Sequence, residues 1–126
     1  MGSGLAFAWQ TYSSRRFKEN VEPLSGALDL ISRLQGVRFD WIDGGRHDIG
    51  FIAEDVATVV PEVVSMEADG INARSLDYAR LTALAIEGIK AQQTELESLR
   101  RDNDQLRTEL AALRSAVDAL TAARTR

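Results

Sequence analysis

The chain has 126 residues, 44% of them hydrophobic, and 19 acidic against 15 basic side chains give a formal charge of −4. This size allows one modest domain plus an extension, and the acidic balance disfavours a broad nucleic-acid surface, with Arg15, Arg16 and Lys18 left as a local basic patch. With no cysteine there is no disulfide framework and no thiolate zinc site, and no apolar run approaches the ~20 residues that a membrane span needs.

Met1-Gly2-Ser3-Gly4 reads as a joined remnant or as the edge of a piece of a longer protein. Leu5-Ala6-Phe7-Ala8-Trp9 is too short for a signal-peptide core and lacks a basic region before it. Its alternation with small residues predicts a short strand packed on something else. Residues 1–12 therefore read as a leader, the end of an upstream segment.

A helix is expected from Glu22-Pro23, with Pro in the first turn, through Leu24, Ala27, Leu28, Ile31 and Leu34 to a stop at Gly36. Val37-Arg38-Phe39-Asp40-Trp41 alternates apolar and polar residues, as a half-buried strand does. Asp43-Gly44-Gly45 predicts a hairpin, with Asp48–Ala53 as the return strand. A short helix from Glu54 to about Val60 is closed by Pro61. Val63–Met66 and Ile71–Leu76 read as a second strand pair around Asp69-Gly70. Ser75 or Asp77 then caps a helix that runs to the end of the chain.

That last helix carries a heptad pattern. Ile89, Leu96, Asn103, Leu110 and Val117 occupy a, and Gln92, Leu99, Leu106, Leu113 and Leu120 occupy d. Glu95, Asp102 and Glu109 fall at g. Each stands five residues before Arg100, Arg107 or Arg114 at e, the spacing of ion pairs between parallel, in-register helices. The stripe is narrow, which suits a seam between copies better than a broad face folded back on its own domain. Asn103 leans toward a dimer by the general rule, and the residues alone leave dimer and trimer open.

The chain has only two lysines, Lys18 and Lys90, against thirteen arginines. Arg stays protonated, whereas Lys can lose its proton and act as a base when desolvated. Lys18 stands five residues after Ser13, which opens a Ser/Lys nucleophile reading. The bland reading of the pair alone is a loop serine and a solvated lysine. Asn20 suits a loop-shaping role. His47, beside a Gly-Gly turn, reads as a surface residue. Asp40, Asp43 and Asp48 lack a calcium-loop pattern and read as turn chemistry. Trp9, Phe39, Trp41 and Phe51 read as core or interface packing.

Ser13-Ser14-Arg15-Arg16-Phe17-Lys18-Glu19-Asn20-Val21 resembles the opening pattern Ser-Asp-x-Arg-x-Lys-x-Asn-aliphatic of the intramolecular chaperone auto-processing domain. That domain ends phage tailspikes, endosialidases and tail fibres, and a similar one occurs in proteins related to myelin regulatory factor. The likeness continues through Leu34–Trp41, Ile49–Val56, Pro61–Val64, Asp69-Gly70 and Asp77–Leu84 to Ala85–Lys90. Two positions depart from the pattern: Ser14 replaces the usual Asp, and Glu54 stands where Gln is common.

The resemblance implies an α+β fold, with a head of short strands and helices over residues 13–80 and a coiled-coil helix over 81–126, assembled as a parallel trimer. It implies a chaperone for a fused N-terminal fibre or spike segment, acting during phage or prophage tail assembly in a bacterial cytoplasm. It also implies a self-cut by Ser13 as nucleophile and Lys18 as general base. Neither a metal nor another cofactor is expected, and nucleic-acid and membrane partners are not. Two further readings stand beside it: a permanent trimerisation module with an inactive pair, and a coiled-coil adaptor whose head binds a separate protein.

Overall fold

The computed structural model describes residues 12–125; the strand expected at Leu5–Trp9 and the packing expected of Trp9 lie outside them. Within them the fold is α+β. Two separate antiparallel hairpins and two short helices gather around the first turns of one long helix.

The first helix, α1, spans Ala27–Ser32 and is much shorter than the apolar spacing predicts. Gly26 takes a left-handed conformation (φ 70°) at its N-cap, which breaks any helix running on from Pro23. At the other end Leu34 donates from its amide to the carbonyl of Ile31, a tight closing turn before Gly36. Leu24 therefore belongs to an extended segment, although its spacing to Leu28 and Ile31 mimics one helical face.

Strands β1 (Val37–Asp40) and β2 (His47–Gly50) pair antiparallel, with Val37 opposite Gly50 and Asp40 opposite His47. Val37 and Phe39 turn inward while Arg38 and Asp40 face out, the alternation read from the sequence. Gly44 and Gly45 both have positive φ (84° and 66°), so this reversal needs residues without a Cβ. The Asp48 carboxylate clips the hairpin by accepting from the Trp41 indole at 3.1 Å and the Ile49 amide at 2.9 Å.

Helix α2 (Ala53–Ala57) and a 3₁₀ turn at Pro61–Val63 lead into the second hairpin, β3 (Val64–Met66) and β4 (Ala73–Leu76). Its turn is an Asx arrangement, in which the Asp69 carboxylate accepts from the amides of Ile71 and Asn72 at 2.8 and 2.9 Å. Val56 is the most enclosed side chain at 1% exposure, and Val63 completes this patch.

Helix α3 runs from Tyr78 to Arg124, 47 residues or about 70 Å at 1.5 Å per residue. Of the two caps expected, Asp77 serves; its carboxylate accepts from the Arg80 amide at 3.3 Å. α1 docks on α3 at Leu84, which is 4% exposed, and at Gly88, where an added Cβ would meet the Ile31 side chain. From Gln92 to Thr125 every residue is exposed, so the long helix does not fold back on its own head. No helix among the described residues is long and apolar enough to cross a membrane.

One close approach ties the first hairpin to α3. The Phe51 amide donates to the Tyr78 hydroxyl at 2.9 Å, and a Cβ on Gly50 would stand 2.5 Å from that oxygen. Tyr78→Phe is expected to cost about 1 kcal/mol, the net value of one hydrogen bond. Gly50→Ala is expected to cost more, roughly 1–3 kcal/mol, because it displaces a rigid ring. Denaturant unfolding at matched chain concentration checks both; an equal cost would refute the steric argument.

Candidate functional site

A 3₁₀ turn at Arg15–Phe17 shapes the segment that carries the expected pair. The Phe17 amide bonds the Ser14 carbonyl and the Lys18 amide bonds the Arg15 carbonyl, each at 3.0 Å. The tightened chain brings residues five apart together, and Lys18 Nζ donates to Ser13 Oγ at 2.9 Å. It is Ser13, not the adjacent Ser14, that pairs with the lysine. Asn20, two residues beyond Lys18, has φ 52° and is the non-glycine residue with positive φ among those described. Asn tolerates that conformation better than most residues, which agrees with a loop-shaping role.

The pair is open to solvent in the single chain: Ser13, Lys18 and the residues between them are all exposed. Tyr12 rests edge-on against Phe17, ring centroids 5.9 Å apart, which links the residue before Ser13 to the same turn. Arg16 stacks over the Phe17 ring at 4.7 Å, a contact the sequence did not signal. Arg15 is exposed, as its charge suggests.

Of the other residues singled out, His47 is exposed and pairs through Nδ1 with the Asp40 carboxylate. Asp48 serves the hairpin clip. Among the described residues no group of three or more His, Asp or Glu side chains gathers to hold a metal. Phe39 and Trp41 meet edge-to-face at 5.1 Å, and Phe51 lies beside Tyr78 at 6.1 Å.

Glu54 has a role that spacing could not show. Its Oε1 accepts from the Ala73 amide at 2.9 Å, joining the first turn of α2 to the start of β4. This bond, together with one to its own amide, holds the carboxyl below its ordinary value. A lowered folded-state pKa gives stability that is present above the unfolded value and is lost as pH falls through the folded one. Asp48 and Asp69 are lowered in the same direction, chiefly by the Trp41 indole and by the Ile71 amide. Acidification through the carboxylate range is therefore expected to loosen both hairpins. A Gln at position 54 keeps an acceptor oxygen without a titrating charge. Glu54→Gln is expected to unfold like wild type at neutral pH and to lose less stability on acidification. Thermal midpoints at pH 7 and below about pH 4 check this; parallel acid losses in both chains would show that ionisation of Glu54 adds nothing to stability.

The seam residues form the second candidate surface. Leu96, Leu99, Leu106, Leu110, Leu113, Val117 and Leu120 are all exposed along one stripe of α3, Leu106 at 61%. Only Ala27, Val56, Val63 and Leu84 are buried apolar residues among those described. An exposed apolar stripe of this length is the kind of surface that marks an interaction site.

No curated protein matches the chain. Residues 13–65 match a family model of the peptidase type, Peptidase_S74, described as chaperone of endosialidase. The match opens at Ser13 and covers the Ser13–Lys18 turn, α1, the first hairpin, α2 and the entry to β3. Over residues 13–65 the chain is thus similar to the endosialidase chaperone family, the same family that its motifs resemble.

Proposed function

We propose that this chain is the C-terminal chaperone of a fused, tail-fibre-like protein, which it assembles as a trimer and then releases by cutting itself next to Ser13. The observation that carries the reading is the 2.9 Å contact between Ser13 Oγ and Lys18 Nζ, at the first residue of the family match. The family description supports a chaperone role and its peptidase type supports self-cleavage. The setting proposed with this role is phage or prophage tail assembly in a bacterial cytoplasm.

A serine hydroxyl attacks poorly until a base takes its proton. In the charged form the lysine donates to Oγ; after losing a proton its lone pair can accept from the Oγ–H across the same contact. The simplest attack is on the Tyr12 carbonyl through a five-membered ring. Oγ bonds to the carbonyl carbon, its proton passes to Nζ, and the Tyr12–Ser13 C–N bond breaks as the Ser13 nitrogen takes a proton. Water then opens the ester, leaving a carboxylate on Tyr12 and restoring Oγ–H. Attack on the bond after Ser13 requires a different approach, and the mass of the released piece distinguishes them. Removing an amine from water favours its neutral form. Assembly that covers the exposed turn would thus couple cutting to correct association.

The chaperone step is mechanical. The seam brings three chains into register and raises the local concentration of the segments fused before it. Cutting then makes assembly kinetically irreversible. The test is refolding of the fused segment with and without residues 13–126. A trimer yield that falls sharply without them supports the role, and equal yields refute it. The exposed seam also favours a second reading, a permanent trimerisation module whose pair never cuts; it predicts full assembly with no change of mass.

A further inference from the structure

Beside the head, α3 has an apolar groove along one edge and an exposed isoleucine on the other. On one edge a groove of about 320 Å³ opens between α1, the end of β2 and α3, lined by Ile31, Leu34, Phe51, Leu81 and Ala85. Its lining is almost wholly apolar. On the other edge Ile86 stands 51% exposed, with Pro23 and Leu24 of the extended segment beside it and Glu22, Glu87 and Lys90 at the margin. α1 covers Leu84 and Gly88 but leaves Ala85, Ile86 and Ile89 uncovered, so the exposed stripe continues up beside the head.

The heptad register relates these edges. Leu81 lies two heptads before Glu95, at g, and Ile86 lies two heptads before Arg100, at e. In parallel, in-register helices a g residue faces the e residue five positions later on the neighbour. The rule that pairs Glu95 with a neighbour's Arg100 therefore pairs Leu81, at the rim of the groove, with a neighbour's Ile86. An apolar pair replaces the ion pair at the level where the apolar groove opens.

We propose that this groove seats Ile86 and Leu24 of the adjacent copy, so that each head locks onto the next chain around the coil. The inference rests on the parallel coiled coil of the proposed function. It adds that the heads themselves take part in assembly. It also connects assembly to the Ser13–Lys18 turn, because Leu24 lies six residues after Lys18, in the segment that leads past Asn20 to α1. Seating Leu24 on a neighbour fixes the segment that leaves the candidate site.

The native chain has no cysteine, which permits a clean cross-linking test. Full-length Leu81→Cys and Ile86→Cys chains are coexpressed and treated with a short bismaleimide, beside each variant alone. A coexpressed Glu95→Cys and Arg100→Cys pair reports on the coil, and a Leu34→Cys and Leu24→Cys pair repeats the groove test should Leu81→Cys fold poorly. The expected result is a covalent species in both groove mixtures and in the coil mixture, and none from the Leu81→Cys or Ile86→Cys chain alone. Linking in the coil mixture but in neither groove mixture overturns the head-to-neighbour contact and leaves the coil intact. No linking in any mixture overturns the parallel register and the inference with it. Linking of Leu81→Cys to itself places like edges together and also overturns it.

Discussion

Ser13→Ala is expected to abolish the cut outright, and Lys18→Ala to slow it by about 10²–10⁴-fold, the usual contribution of a positioned proton acceptor. The asymmetry follows from the geometry. In the proposed reaction Ser13 Oγ forms the new bond, whereas Lys18 Nζ, 2.9 Å away, only takes its proton. Lys18→Arg is expected to fail like Lys18→Ala, because a guanidinium keeps its proton. Ser14→Ala is expected to cut normally, since Ser14 contributes its backbone carbonyl to the Phe17 amide and makes no side-chain cap. Intact mass over time measures all four. Cutting that survives Ser13→Ala but stops in Ser14→Ala would move the nucleophile by one residue and refute the assignment.

Leu106→Asp is expected to have the largest effect on assembly. Leu106 follows Asn103 in the middle of the exposed stripe, so an assembly through that stripe would already contain one polar layer there. Each buried Leu contributes roughly 1.5–3 kcal/mol, and a symmetric assembly loses that from every chain while gaining a desolvated carboxylate in each. With tenfold in affinity per 1.4 kcal/mol, association should weaken by more than about a hundredfold. Light scattering should then report single chains at concentrations where wild type is assembled. The reverse change, Asn103→Leu, is expected to raise the unfolding midpoint, because a polar residue at this kind of position costs stability. An unchanged assembly in Leu106→Asp would mean that the stripe is not the seam.

Much of the fold was legible because local chemistry and tertiary structure agree. Asp43-Gly44-Gly45 predicted a reversal, and both glycines sit at positive φ there. Asp77 capped the long helix, and the heptads described a stripe that the structure leaves bare. The expected helix at Glu22–Gly36 shows where pattern reading overreaches. Leu24 repeats the spacing of α1, but Gly26 turns the chain and sends Leu24 along α3 instead. Contacts between distant residues left no trace in any window. Tyr78 reaches the Phe51 amide across 27 positions, and Glu54 reaches Ala73 across 19. The spacing of Ser13 and Lys18 was visible, but two such residues five apart say little by themselves. It took the motif around them to suggest the pairing, and the 3₁₀ turn to bring the atoms together.

The most direct measurement is the intact mass of a chain expressed with a longer upstream extension, in parallel with Ser13→Ala, after light scattering has established that both assemble. The predicted result is a wild-type chain divided next to Ser13 and a variant that keeps its full mass. A wild type that assembles and stays whole, or a Ser13→Ala chain that is cut at the same bond, would contradict self-cleavage by the Ser13–Lys18 pair.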